Sequence, residues 1–169
     1  MYRPKTVVPP RRATREPIVK LGLDWAAAGW AGLAGGAALL LLEVAFSGLG
    51  ARGATRLIAS VALGSTVMAA DAPFGAIVAL AAAAVHIPLS LLYARLIAAV
   101  VDGRPPGYAA AAGAVLGGAL YGLNFYALAG FYPWVAAARG FGSLAAHAAF
   151  GAIAGGLYSR LARRPDVER

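Results

Sequence analysis

The chain has 169 residues, of which 60% are hydrophobic, 13% are charged and none is Cys. The mean hydropathy of +0.70 excludes a disordered chain, because disorder requires low hydrophobicity. The absence of Cys excludes a disulfide-stapled fold and any thiolate metal or redox centre. A soluble enzyme is not expected either, since long uncharged runs of this kind belong in lipid. We therefore expect a small integral membrane protein.

Four apolar segments are long enough to cross roughly 30 Å of hydrocarbon as helices, which takes about 20 residues each. They run from about residue 25 to 46, 73 to 99, 108 to 130 and 142 to 161. Helices are expected because backbone groups in lipid must be hydrogen-bonded within their own segment. The period-2 alternation of a membrane barrel is missing. The predicted fold class is an all-α, integral membrane four-helix bundle over residues 25–162.

The connections between these spans differ in length. Residues 48–71 form the longest one, and its middle, residues 56–63, suits a short helix lying in the outer interface of the membrane. The other connections are short, which predicts that consecutive helices pack as antiparallel neighbours.

Basic residues orient the predicted bundle. Six of them precede Trp25, Arg95 and Arg104 lie near the turn between the second and third spans, and Arg160 with three further Arg lie at or beyond the end of the fourth span. Only Arg52, Arg56 and Arg139 fall on the opposite side. By the positive-inside rule, both termini face the cytoplasm. The net charge of +8 is then mainly a topology signal, with some attraction to anionic lipid headgroups, and it requires no nucleic-acid partner.

Two segments lie outside the predicted bundle. Residues 1–24 form a cytoplasmic arm rich in Pro and Arg, and residues 163–169 form a short cytoplasmic tail. An arm of this composition is extended and has no core of its own. We expect it to dock on a partner protein through Arg11 and Arg12.

The second and fourth spans end in similar segments, residues 92–96 and 157–161. What they share is a Tyr–Arg pair at the cytoplasmic helix end, Tyr93 with Arg95 and Tyr158 with Arg160. One His precedes each Tyr, His86 by seven residues and His147 by eleven. These offsets differ by about one helical turn, so both His lie on the same face relative to the Tyr–Arg end. The pattern predicts two related helical hairpins in parallel orientation.

Glycines four residues apart predict close contacts between these helices, because small residues let helix backbones approach. The pairs are Gly32/Gly36, Gly113/Gly117, Gly118/Gly122 and Gly151/Gly155. Helices packed in this way leave little lateral volume for a bulky cofactor.

Four polar side chains lie inside the predicted spans, where such groups are costly and tend to mark function. Glu43, Asn124 and His147 fall in one layer of the outer half, and His86 lies deeper. The functional interpretation is a polar site open toward the periplasm, in which Glu43 pairs with His147 and Asn124 orients one of them. The alternative is that each group is hydrogen-bonded to a neighbouring helix and only holds the bundle together.

Two sharper functions remain open for these side chains. Glu43, His147 and His86 follow one another in depth and could form a path for protons or a solute. Four spans are few for a transporter, so this function would require an oligomer. His86 and His147 are also candidate ligands of haem b, or contacts of a quinone. Their depths differ by about 6 Å if the Tyr–Arg ends are level, which disfavours haem, and a metal on these residues and Glu43 lacks a well-placed ligand set. We therefore expect bound lipid but no resident metal or cofactor.

Aromatic residues follow the third span. Tyr132 and Trp134, with Arg139 shortly after them, suit the interfacial belt that Trp and Tyr form at membrane boundaries. They also suit a rigid surface for a partner protein, because aromatic residues and Arg dominate binding hot spots.

At these positions the chain resembles a group of small four-span bacterial inner-membrane proteins, sometimes labelled sodium/proline symporters. The resemblance covers about residues 29 to 161. Its motifs are Arg56-Leu57-Ile58-Ala59, Asn124-Phe125-Tyr126, Pro133-Trp134, Arg139, His147, Phe150-Gly151 and Tyr158. It implies the four-span fold, a bacterial inner membrane and the two His positions, and no activity. The chain is far too short for a symporter of that type.

No nucleophile–base pair, phosphate loop or complete metal site is found in the sequence. The small size, the basic arm and the aromatic rim predict a non-catalytic accessory subunit of a larger inner-membrane complex. Among such complexes we expect a respiratory electron-transport complex. The alternative is a small oligomeric transporter or proton-conducting protein that uses Glu43, His86 and His147. Haem or quinone binding comes third.

Overall fold

The computed structural model describes residues 22–162. Most of the predicted arm, including Arg11 and Arg12, and the whole predicted tail lie outside the described residues. Within 22–162 the chain is helical and contains no strand.

Four helices are long and apolar enough to cross a membrane, which confirms the predicted all-α membrane bundle and its multi-pass character. They are α1 (Trp25–Phe46), α3 (Ala76–Val101), α4 (Pro106–Gly122) and α5 (Phe141–Leu161). The third span continues beyond α4 through shorter turns to Gly130. The start of α1 has a local cause, since the Asp24 carboxylate accepts a hydrogen bond from the Ala27 N–H at 2.9 Å.

The fifth helix, α2 (Gly50–Leu63), occupies the predicted interfacial segment and is six residues longer at its start. Its buried face includes Leu57 and Ala59. Ala59 packs with Val78 at the start of α3, whereas Leu57 packs with Phe125, which follows α4. Helix α2 therefore bridges α3 and the end of the third span. We call this end of the molecule the loop end, and the end where α1 begins and α5 ends the terminal end.

The order of neighbouring helices differs from the expectation. Helix α4 packs closely on α5, α5 on α1, and α1 on α3, whereas α3 and α4 make few contacts although a short turn joins them. The prediction that all consecutive spans are packed neighbours is therefore wrong for α3 and α4. The physical reason is that the glycine-lined faces of α1 and α4 are directed at α3 and α5, so the closest approaches form elsewhere.

The α4–α5 contact is the closest in the bundle. A Cβ added to Gly113, Gly117 or Gly151 would collide with a backbone carbonyl of the facing helix, so these positions require glycine. Gly118 faces only Leu144, at 3.8 Å from the added Cβ, and nothing lies near Gly122. The predicted packing role of the Gly118/Gly122 pair is therefore wrong.

The α1–α3 and α4–α5 hairpins pack in the same register. An added Cβ on Gly32 would meet the Ser90 carbonyl, just as one on Gly113 would meet the Gly151 carbonyl. Ser90 and Gly151 therefore occupy matching positions. Both hairpins run the same way, first helix toward the loop end and second helix back, as the predicted parallel orientation requires.

The sequence comparison matched Tyr93 with Tyr158. The observed packing moves this match between the two hairpins by one helical turn. His86 and His147 each lie four residues before the matching positions, so the two His are equivalent to each other. Tyr158 then corresponds to Ile97 and not to Tyr93. The predicted difference in His depth, which assumed that the two Tyr match, is therefore wrong.

Candidate intramembrane binding site

His147 lies at the centre of the polar groups inside the bundle. It is on α5 and only 5% exposed. Its Nδ1 lies 2.8 Å from the Ser143 carbonyl oxygen one turn earlier. A carbonyl can only accept, so Nδ1 carries the proton, and Nε2 accepts from the Asn124 side-chain amide at 3.1 Å. Both ring nitrogens of His147 are therefore engaged.

The chain of hydrogen bonds continues from Asn124 to α3. The Tyr93 hydroxyl donates to the Asn124 carbonyl oxygen at 2.7 Å. Tyr93 can reach this layer because helix side chains lean toward the N-terminus of their helix, which for α3 is the loop end. The prediction that Tyr93 belongs to a pair at the cytoplasmic helix end is therefore wrong.

Glu43 joins α1 to the same group of residues. It is buried, and its Oε1 lies 3.5 Å from His147 Nδ1. The Ser143 hydroxyl is 2.9 Å from Glu43 Oε2 and 3.0 Å from the Ala138 carbonyl, and it has one proton to share between them. Glu43 Oε1 has no hydrogen-bond partner. Tyr93, Asn124, His147, Ser143 and Glu43 thus form one layer across four elements, which we call the polar layer.

Asn124 reaches the polar layer from an irregular turn. Residues Leu123–Ala127 form a π-helical turn at the end of α4, a feature that is frequent at functional sites. The Phe125 carbonyl accepts from the Arg139 Nε at 2.7 Å, and the Arg139 guanidinium lies 4.3 Å from the centre of the Tyr126 ring. Sequence reasoning missed this turn, because no periodic signal marks it and Asn124 is its only cue.

His86 lies apart from these hydrogen bonds. Its Nε2 is 2.9 Å from the Gly36 carbonyl oxygen and therefore donates to it, which links α3 to α1. Gly36 permits this approach, since an added Cβ there would lie 3.5 Å from His86 Nε2 and 2.8 Å from the Ser90 Cβ. His86 nevertheless shares a cavity with the polar layer.

This cavity is the main feature that sequence reasoning did not anticipate. It has a volume of about 150 Å³ and is partly open to the outside. It lies between α1, α3 and the end of the third span, with α2 as a further wall. Most of its lining is apolar, and Leu39, Leu57, Leu89 and Phe125 are representative. Its polar lining is Glu43, His86, Ser90, Tyr93, Asn124, Tyr132 and His147. The cavity exists because α3 and α4 do not close against each other.

The three residues predicted as a partner surface make contacts within the chain. The Trp134 indole N–H donates to the buried Ser60 hydroxyl at 2.8 Å. Tyr132 packs edge-on against Trp134 at 5.7 Å between ring centres and lines the cavity. Arg139 donates a hydrogen bond to the Phe125 carbonyl. These residues thus attach the segment after the third span to α2 and to the π-helical turn.

The remaining predicted site residues lie at the terminal end. The Arg95 guanidinium lies 5.8 Å from the centre of the Trp25 ring. The Tyr158 hydroxyl donates to Asp102 at 2.7 Å, in the turn between α3 and α4. Arg160 is exposed. None of these residues reaches the polar layer.

Haem and metal binding fit these residues poorly. His147 has no free ring nitrogen, and His86 uses Nε2 to bond Gly36. The cavity is far smaller than a porphyrin. Within residues 22–162, no three His, Cys, Asp or Glu side chains are grouped in a way that could hold a metal ion.

No protein-family model, curated protein or solved structure matches this chain. The resemblance to small four-span bacterial membrane proteins therefore stays a prediction.

Proposed function

We propose that this chain is an intramembrane binding protein that takes up a small, largely apolar molecule into the cavity beside the polar layer. The observation that carries the proposal is an apolar cavity of about 150 Å³ lined in part by Glu43, whose buried Oε1 has no hydrogen bond. Binding sites typically combine apolar walls with a few polar groups that orient the ligand. An engineered apolar cavity of roughly this volume in another protein binds benzene.

The polar layer suits orientation better than reaction. The Asn124 side chain is hydrogen-bonded to both His147 and Tyr93. A network of this kind is rigid because each member restrains the next. It holds the His147 ring in place at the cavity wall.

A cavity-filling substitution tests the proposal. Ala54 lies on α2, is buried and lines the cavity. Ala54→Leu should fill part of the space, whereas Ala62→Leu, on the exposed side of the same helix, is the matched control. The probe is 4-fluorotoluene in zwitterionic nanodiscs, observed by ¹⁹F NMR against empty nanodiscs.

We expect a bound signal for the wild type and the Ala62→Leu variant, and its loss in a folded Ala54→Leu variant. If 4-fluorobenzyl alcohol displaces bound 4-fluorotoluene, this polar probe binds in the same cavity. No bound signal for either probe in the wild type, or equal signals in the two variants, would overturn the proposal.

Transport is the wider function that such a site would serve, and it was the alternative expected from the sequence. It predicts flux of the bound molecule into liposomes that disappears in Glu43→Gln or His86→Ala variants with intact helix content. Binding without flux would limit the function to a receptor or carrier role.

The accessory-subunit role in a respiratory complex remains a second proposal. Its support is the broad apolar exterior, on which Trp30, Leu41, Ile77 and Leu80 are each at least 67% exposed. Lipid or another membrane subunit would cover this surface. Gentle extraction from the native membrane, with a visible spectrum and identification of co-purifying proteins, tests it. A large assembly of constant stoichiometry would support the role, and a colourless species containing this chain alone would contradict it.

A further inference from the structure

Glu43 is the acidic residue of the cavity lining. It is the only acidic residue within the four membrane-spanning segments. No Lys or Arg lines the cavity, and the other ionisable side chains on its wall are His86, His147, Tyr93 and Tyr132. His147 is neutral, as its hydrogen bonds require, and Glu43 carries the only carboxyl group on the cavity wall.

The Glu43 carboxylate also has too few hydrogen-bond donors. Oε2 shares the single Ser143 proton with the Ala138 carbonyl. The Nδ1 proton of His147 is used by the Ser143 carbonyl at 2.8 Å, and Oε1 lies farther away at 3.5 Å. A buried carboxylate is costly unless donors or a cation compensate it. The group that would complete this site is therefore a donor, and a cationic donor compensates best.

The walls of the cavity specify the rest of the ligand. Leu39, Leu57 and Leu89 offer an apolar surface, and the Phe125 and Tyr132 rings lie on the same cavity. Aromatic faces attract ammonium groups in desolvated sites. The volume of about 150 Å³ admits a body of roughly benzene size.

We propose that the ligand is a small lipophilic amine in its ammonium form. This inference rests on the binding function proposed above and names its ligand class. The ammonium group donates to Oε1 of Glu43, and an aromatic or short aliphatic body lies among the leucines and Phe125. Oε1 is covered by its neighbours in this structure, so the carboxylate turns toward the cavity as the amine enters.

Four probes that share one ring separate charge from hydrogen bonding and apolar contact. They are 4-fluorobenzylamine, 4-fluorobenzyl alcohol, 4-fluorobenzoate and 4-fluorotoluene, measured by ¹⁹F NMR in zwitterionic nanodiscs with empty nanodiscs as the reference. We expect the amine to bind about tenfold more tightly than the alcohol, because a charge-assisted hydrogen bond is roughly twice as strong as a neutral one. The benzoate should bind most weakly.

Glu43→Gln keeps the shape of the side chain and removes its charge. In this variant the amine should lose about tenfold in affinity, whereas the alcohol should change by less than about twofold. Asp71→Asn, at an exposed position outside the spans, is the control that removes one negative charge elsewhere and should leave all four affinities unchanged.

The outcomes distinguish this inference from the binding function itself. Equal binding of amine and alcohol by the wild type, tightest binding of the benzoate, or an amine preference that survives Glu43→Gln would overturn the amine and leave the binding function standing. Binding of none of the probes would overturn both. If Glu43→Gln does not fold, the order of the four probes in the wild type decides.

Discussion

At the scale of single residues, the neighbours of each polar group in the membrane decide what it can do. Both ring nitrogens of His147 are hydrogen-bonded, so this side chain links α5 to Asn124. Glu43 has one oxygen without a hydrogen bond, so it can still accept a hydrogen bond from a ligand. Sequence reasoning singled out both residues but could not distinguish these roles, because they depend on hydrogen bonds across three helices.

Tyr93 provides the test at this scale. Tyr93→Phe removes the hydroxyl that donates to Asn124 and should lower the free energy of unfolding by about 1 kcal/mol. Tyr126→Phe, on a ring that is 58% exposed, is the control and should change it by less than about 0.5 kcal/mol. Unfolding followed by circular dichroism in detergent measures both values. Equal effects of the two substitutions would mean that the Tyr93–Asn124 bond is energetically unimportant.

At the scale of the helices, glycine decides which elements touch. Gly113, Gly117 and Gly151 allow α4 and α5 to approach until an added Cβ would meet a backbone carbonyl. Such close approach increases dispersion contacts between helices that gain no hydrophobic drive in lipid. The neighbouring Gly118 has no comparable contact, although its spacing to Gly122 forms the same sequence motif. The motif alone therefore does not specify the packed face.

Adjacent glycines on α4 make this argument testable. Gly117→Ala should destabilise the protein by about 2 kcal/mol, because the added methyl group forces the α4 and α5 backbones apart. Gly118→Ala should be neutral or stabilising by up to about 1 kcal/mol, since the methyl meets only Leu144 at 3.8 Å and alanine favours the helix. Thermal unfolding of both variants in one detergent gives the comparison. A larger loss for Gly118→Ala would contradict the observed packing.

At the scale of the whole molecule, two related hairpins meet asymmetrically. Helix α1 packs on α5, but the equivalent contact between α4 and α3 is nearly absent. Helix α2 bridges that gap through Leu57 and Ala59. The cavity and the polar layer lie where the symmetry fails. The other helix pairs pack closely and leave α3 and α4 apart. The proposed binding site is the space that results.

The topology prediction also belongs to the whole molecule. The chain has no Cys, so a single introduced cysteine shows on which side of the membrane its position lies, with no labelling of native cysteines. Ala70→Cys marks the loop end and Gly107→Cys the terminal end, both at exposed positions. In the sequence, most basic residues precede α1, lie near the α3–α4 turn, or lie at or after the end of α5. We therefore expect an impermeant maleimide to label Ala70→Cys in intact spheroplasts and Gly107→Cys only after lysis. Labelling of Gly107→Cys before lysis would reverse the predicted orientation.

The amino-acid sequence alone is enough to predict the number of spans, their boundaries to within a few residues and the polar side chains inside them. Hydropathy, span length and helix start signals are local properties, readable along one segment at a time, as at Trp25 and Phe46. Three features became visible only in the folded bundle: α3 and α4 stand apart, His86 matches His147 in register, and Tyr93 reaches Asn124. These features depend on which helix faces meet, and that choice is made by backbone contacts between residues far apart in the chain. The cavity beside Glu43 is a space between elements, so no single segment of the sequence encodes it.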